Sequence, residues 1–150
     1  MNKNISAAIA LASLAVTGVA FAQKVSDAQI AQIVVTANSI DIDNGKIALK
    51  NSKTASVDEF ANLMIKDHTA VNNNAVALVT KLGVKPEDSD VNKSLKSAAD
   101  TEQAKLKGLS GAAFDKEYLT NEVAYHKQVI GRMEPIARAD CRAMMADRKR

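Results

Sequence analysis

The chain has 150 residues, a formal charge of +3 and only 3% aromatic side chains. That length suits one domain with one hydrophobic core, and the lack of Trp leaves little with which to stack on bases or sugar rings. The lone cysteine, Cys141, excludes an intramolecular disulfide, so stability has to come from packing.

The charge is unevenly spread. Residues 23–130 carry 13 basic and 14 acidic side chains, whereas residues 131–150 carry six and three. The sequence pI near 9.0 is therefore a property of the C-terminal stretch. The body has no basic face of the kind that binds nucleic acid, and no nucleic-acid partner is expected.

Met1-Asn2-Lys3-Asn4 is a short basic start. An Ala-rich apolar run follows over residues 5–19, and Ala20-Phe21-Ala22 has the small-x-small pattern of a signal peptidase site. A signal peptide over residues 1–22 is expected, with cleavage after Ala22, export to the periplasm and a mature chain from Gln23. The run is barely long enough to serve as a membrane anchor, and no other segment is apolar enough to cross a bilayer. No transmembrane segment is expected in the mature chain.

The first predicted helix covers residues 27–50. Ser26-x-x-Gln29 is a capping box, and Ile30, Ile33, Ala37, Ile40, Asn44 and Ile47 recur at helical spacing. Gly45 interrupts the pattern at a cost of about 1 kcal/mol relative to Ala, which a close helix contact would explain. A polar turn at residues 51–55 precedes the second helix, with Ser56-x-x-Glu59 as a second capping box. Val57, Ala61, Met64, His68, Val71, Ala75, Leu78 and Leu82 then alternate by four and three, and all are apolar except His68. Gly83 suits the left-handed residue that ends a helix, and Pro86 stops it.

The third predicted helix, residues 90–107, has a weak stripe of Val91, Leu95, Ala98 and Leu106. After a loop at residues 108–111, the fourth starts near Phe114 and carries Leu119, Val123, His126, Ile130 and Met133. Pro135 should kink or end it. Residues 132–150 are highly charged, which predicts a frayed or disordered tail. Nothing alternates like a strand. The expected fold is all-α, an up-down-up-down four-helix bundle over residues 23–131 with an irregular C-terminal tail.

Three stretches carry a resemblance. They are Asp41-Ile42-Asp43-Asn44-Gly45-Lys46-Ile47-Ala48, then Val57-x-x-Phe60-Ala61-x-x-Met64-Ile65-x-Asp67-His68-x-x-x-Asn72, then Phe114-Asp115-x-x-Tyr118 with His126 downstream. Together, over about residues 26–130, the chain resembles the domain of unknown function 4142 family of exported bacterial proteins. The resemblance implies a ferritin-like helical bundle and no established activity. Two positions depart from the family. Asp41 stands where members usually carry Glu, and residues 131–150 do not look like the further His-bearing helix with which members usually end. Family members are often labelled outer membrane proteins, but spans of that membrane are closed β-barrels, and this sequence has no strands to build one.

Both histidines fall on apolar stripes. Counted from the helix starts, His68 and His126 lie at one level, roughly 17 Å along parallel helices. Counting back on the antiparallel first helix reaches the vicinity of Asp41. A mid-core polar layer of Asp41, His68 and His126 is therefore expected, with Glu122 one turn from His126. It reads most simply as a satisfied structural network. The alternatives are a divalent transition-metal site, since imidazole with carboxylate suits zinc, copper or iron, and a pH-responsive element. The Glu-x-x-His pairs of a di-iron site are absent. So are a G-x-S-x-G elbow and a phosphate-cradling Gly loop. No catalytic residue and no resident cofactor are expected. The anticipated role is structural, stress-related or ligand-binding, with metal binding as the alternative and a docked partner helix as a third possibility.

Overall fold

The computed structural model describes residues 25–147; the expected signal segment at residues 1–22 lies outside them. Four helices make up the described chain: α1 (Asp27–Asn51), α2 (Ala55–Leu82), α3 (Asp90–Lys107) and α4 (Gly111–Asp147). Among the described residues there is no strand, and no helix is long and apolar enough to cross a membrane. Cross-helix pairs fix the directions. Asn38 meets His68 while Asn72 reaches back to Val35, so α1 and α2 are antiparallel. Asn44 meets Glu122 and Tyr125 reaches Ala37, so α4 also opposes α1. Gln103 meets Asn44 and Asn51 reaches Leu106, so α3 runs with α1. The result is an up-down-up-down four-helix bundle in which α1 packs against all three other helices.

The helix ends follow local chemistry. Ser26 and Gln29 form the reciprocal capping box that opens α1. The second predicted box is not used. α2 starts at Ala55 with Thr54 as its N-cap, and Thr54 makes no side-chain cap bond. Its hydroxyl instead donates to Asp115 Oδ2 at 2.6 Å, while Ser52 donates to Oδ1 at 2.7 Å, so Asp115 pins the α1–α2 turn to α4. At the other end of α2, Gly83 takes φ 66°, a left-handed conformation that only Gly adopts at little cost. The amide of Val84 then donates to Val79, closing a Schellman-type end.

Gly45 has the close contact that its place in a helix suggests. A Cβ there would lie 2.8 Å from Ile65 Cγ1 and 3.1 Å from the Ala61 carbonyl oxygen, so glycine lets α1 and α2 touch backbone to side chain. On either side of this level the core is apolar. One cluster joins Ile47, Ala48, Val57, Leu106, Phe114 and Tyr118. The other joins Ile33, Ala37, Ile40, Leu95, Ala99 and Tyr125. Between them α1 contributes buried Asp41 and Asn44.

One expectation needs correcting. The apolar stripes of the second and fourth helices do not mark their buried faces. On α2 only Val57 and Ala61 of the stripe are buried, and Leu82 is 63% exposed. On α4 the buried positions are Phe114, Tyr118, Glu122 and Tyr125, while Ile130 is 63% exposed. α2 packs closely on α1 alone and leaves its other flank open toward α4, so its inward seam shifts to Ala61, Ile65, His68 and Asn72. Residues 132–147 are described as helix. α4 continues through Pro135 to Asp147, where composition and the proline predict an irregular tail. A helical proline presses on the carbonyl four residues earlier; that residue is Gly131, the helix position best able to adjust.

Candidate functional site

The polar layer is built where α1, α2 and α4 meet. Asp41, His68 and His126 each offer a ligand atom within 4.8 Å of the others. The two imidazole rings lie 5.6 Å apart in an edge-on arrangement. Asp41 Oδ2 is 3.5 Å from His68 Nδ1, and Glu122 Oε2 is 3.7 Å from His126 Nδ1. All four residues singled out from the sequence thus fall in one place. Their burial is unequal. The carboxylates are 3–4% exposed, whereas the His68 and His126 side chains are 20% and 38% exposed. The histidines therefore form the outer wall of the layer and the carboxylates its floor.

The hydrogen bonds set the tautomers. Asn38 donates its Nδ2 to the Val34 carbonyl at 2.7 Å, which turns its Oδ1 toward His68 Nδ1 at 2.6 Å. An amide oxygen accepts only, so Nδ1 carries the proton. His126 Nδ1 meets the Glu122 carbonyl oxygen at 2.8 Å, and the same logic protonates it. Each ring then keeps its lone pair on Nε2, the arrangement usual in metal-binding histidines, whose other nitrogen donates to a carbonyl. Burial, and then the neighbouring His126, hold His68 below the ordinary imidazole range, with Asp67 opposing them.

The floor is a pair of carboxyls that cannot both ionise. Burial, reinforced by the Glu122 charge, pushes Asp41 up to about 8. Burial also raises Glu122, with Asn44, His126 and Asp41 working against it. A proton on Asp41 lets it donate to Glu122, as in other carboxylate pairs that share one proton. Glu122 Oε1 accepts from Asn44 Nδ2 at 3.4 Å, and Asn44 Oδ1 accepts from Gln103 Nε2 at 3.1 Å. Three buried polar atoms remain without a hydrogen-bond partner: Asp41 Oδ1, Glu122 Oε2 and the Tyr118 hydroxyl. Buried polar atoms are nearly always partnered, so three such atoms together at one site mark a place for a proton, water or ion.

Asn38, Asn44, Gln103 and Tyr118 complete the site but are not evident from the sequence. Asn38 had a signal, since it sits one turn before Asp41 on the same face of α1. Gln103 had none, because α3 carries no pattern pointing it inward. Beyond the layer, a cavity of about 120 Å³ is lined by Asp41, His68 and His126 together with apolar residues such as Ile33, Val129 and Met133.

No curated protein and no solved structure matches this chain. One family model does, and it covers residues 14–146 under the description Domain of unknown function (DUF4142). That span is most of the chain, and the protein belongs to the DUF4142 family.

Proposed function

We propose that this protein is an exported, periplasmic helical bundle that binds one divalent transition-metal ion through His68, His126 and Asp41, with Glu122 as the adjoining carboxylate. The observation that carries the reading is the convergence of three donors from three helices within 4.8 Å. Ligands of a tetrahedral ion at about 2.1 Å lie roughly 3.4 Å from one another, so side-chain adjustments of about 1 Å would close the set. Two imidazoles and a carboxylate suit zinc, copper or iron. Three protein ligands leave a fourth position open. The metal also supplies what the floor lacks, because a cation replaces the proton that Asp41 and Glu122 otherwise share.

The test starts from mature protein stripped with chelator, titrated with Zn²⁺ and Co²⁺ by calorimetry and absorption. One equivalent should bind with proton release, and His68→Ala or His126→Ala should weaken binding at least 100-fold. Absence of stoichiometric metal, with no change in melting temperature under zinc, copper or cobalt, would overturn it. Export rests on the basic start and the Ala20-Phe21-Ala22 site, and N-terminal sequencing of periplasmic material beginning at Gln23 tests it. A second reading, a structural layer that fixes helix register, is favoured by the Gln103–Asn44–Glu122 chain. It predicts full stability without metal and none of the metal's effects.

A further inference from the structure

Between α2 and α4, outside the polar layer, runs an apolar groove of about 560 Å³. Small-molecule sites usually enclose about 300–1,000 Å³. Phe60 and Met64 form one wall, and Leu119, Val123 and Ile130 form the other. Its polar lining is confined to Glu122, His126 and Lys127, all on α4. Val123 and Ile130 are 56% and 63% exposed, more than isolated surface residues need explain.

We propose that this groove binds a single-chain amphiphile with an anionic head, a free fatty acid of about twelve carbons. On α4 the lining from Leu119 to Lys127, where the head is held, spans eight residue steps or about 12 Å of helix. An extended alkyl chain advances about 1.2 Å per bond, so ten or eleven bonds, about a dozen carbons, fill that length. A helix-lined trough with apolar walls on both sides suits a chain one methylene wide. The head is fixed by charge. Lys127 is the one cation lining the groove, and among the described residues no carboxylate pairs with it. A carboxylate held there lies beside His126, at the same end of the groove. The proposal does not depend on a metal in the neighbouring layer.

Metal-free mature protein titrated with dodecanoate below its micellar concentration tests it, with dodecanol and dodecyltrimethylammonium as head-group controls. Dodecanoate should bind with one-to-one stoichiometry and at least tenfold more tightly than dodecyltrimethylammonium. Val123→Asp, at an exposed position that should not disturb folding, should weaken dodecanoate at least tenfold. Lys127→Glu should weaken dodecanoate about fivefold or more and leave dodecanol unchanged. No binding by the wild type, or equal binding by Val123→Asp, overturns the proposal. So does a wild-type dimer in light scattering that Val123→Asp splits and dodecanoate leaves intact, because the groove is then covered by a second copy. Since the titration is done without metal, its failure leaves the metal reading untouched.

Discussion

Replacing Asp41 with Asn separates the proton from the rest of the site. Asn has the shape of a protonated Asp, and its amide can donate to Glu122 as the shared proton does. Asp41 ionises near 3.8 when unfolded and near 8 when folded. Its folded value is raised, so its contribution is greatest at low pH and is lost as pH rises through the interval between the two values. Over the middle of that interval the loss is about 1.4 kcal/mol per pH unit. From pH 5 to pH 7 it amounts to about 3 kcal/mol, or about 10 °C of melting temperature for a domain of this size. His68 acts in the opposite sense. Its folded value is lowered, so its contribution grows as pH rises toward the ordinary imidazole value of 6.5. The two effects are separable, because Asp41→Asn leaves His68 in place. Metal-free Asp41→Asn should therefore be the more stable of the two already at pH 5, and its lead over the wild type should widen by about 3 kcal/mol between pH 5 and pH 7. Chemical denaturation at each pH measures it. Parallel pH profiles for the two proteins would refute the shared-proton floor.

Other perturbations test the packing around the site. Gly45→Ala should destabilise by about 1–3 kcal/mol despite the better helix propensity of Ala, because the Ala61 carbonyl cannot move away as Ile65 can; thermal melts decide it. His68→Leu in the metal-free protein strips buried Asn38 of its partner and should cost about 1–3 kcal/mol, read by denaturant unfolding. Asp115→Ala removes the acceptor of both Ser52 and Thr54 and should cost about 1–2 kcal/mol, with faster amide exchange at the α1–α2 turn.

The positions of the four helices were legible because their punctuation is local. Ser26 with Gln29, and Gly83 with Pro86, act through bonds within a few residues, and such bonds form whatever the rest of the chain does. Thr54 and Ser56 show the limit of that reasoning. The Ser56-x-x-Glu59 pattern is present, but α2 starts at Ala55, so Ser56 lies inside the helix, and the Thr54 hydroxyl ahead of it goes to Asp115, sixty-one residues away. The helix continuing through Pro135 is a similar case, since a penalty read from one residue depends on what stands four positions earlier.

The site was legible for the same reason that the core was partly misread. Helix counting placed His68 and His126 at one level, and levels depend only on rise per residue, which packing hardly alters. Which face turns inward depends on how many neighbours a helix has. α2 carries two adjacent columns, an inward one of Ala61, Ile65, His68 and Asn72 and an apolar one of Met64, Val71 and Leu78. A helix enclosed on all sides would bury both. α2 rests on α1 alone, so it buries the column that α1 can reach and leaves the other facing the groove. His68 sits on the inward seam of α2 at its open edge, and His126 one residue past buried Tyr125 on α4, which is why they are 20% and 38% exposed while Asp41 and Glu122 are buried. That offset has a chemical consequence. Histidines fully inside the seams would be satisfied structural groups closed to exchange. His126, at the edge over a floor of carboxyls that want a cation or a proton, is reachable from the groove.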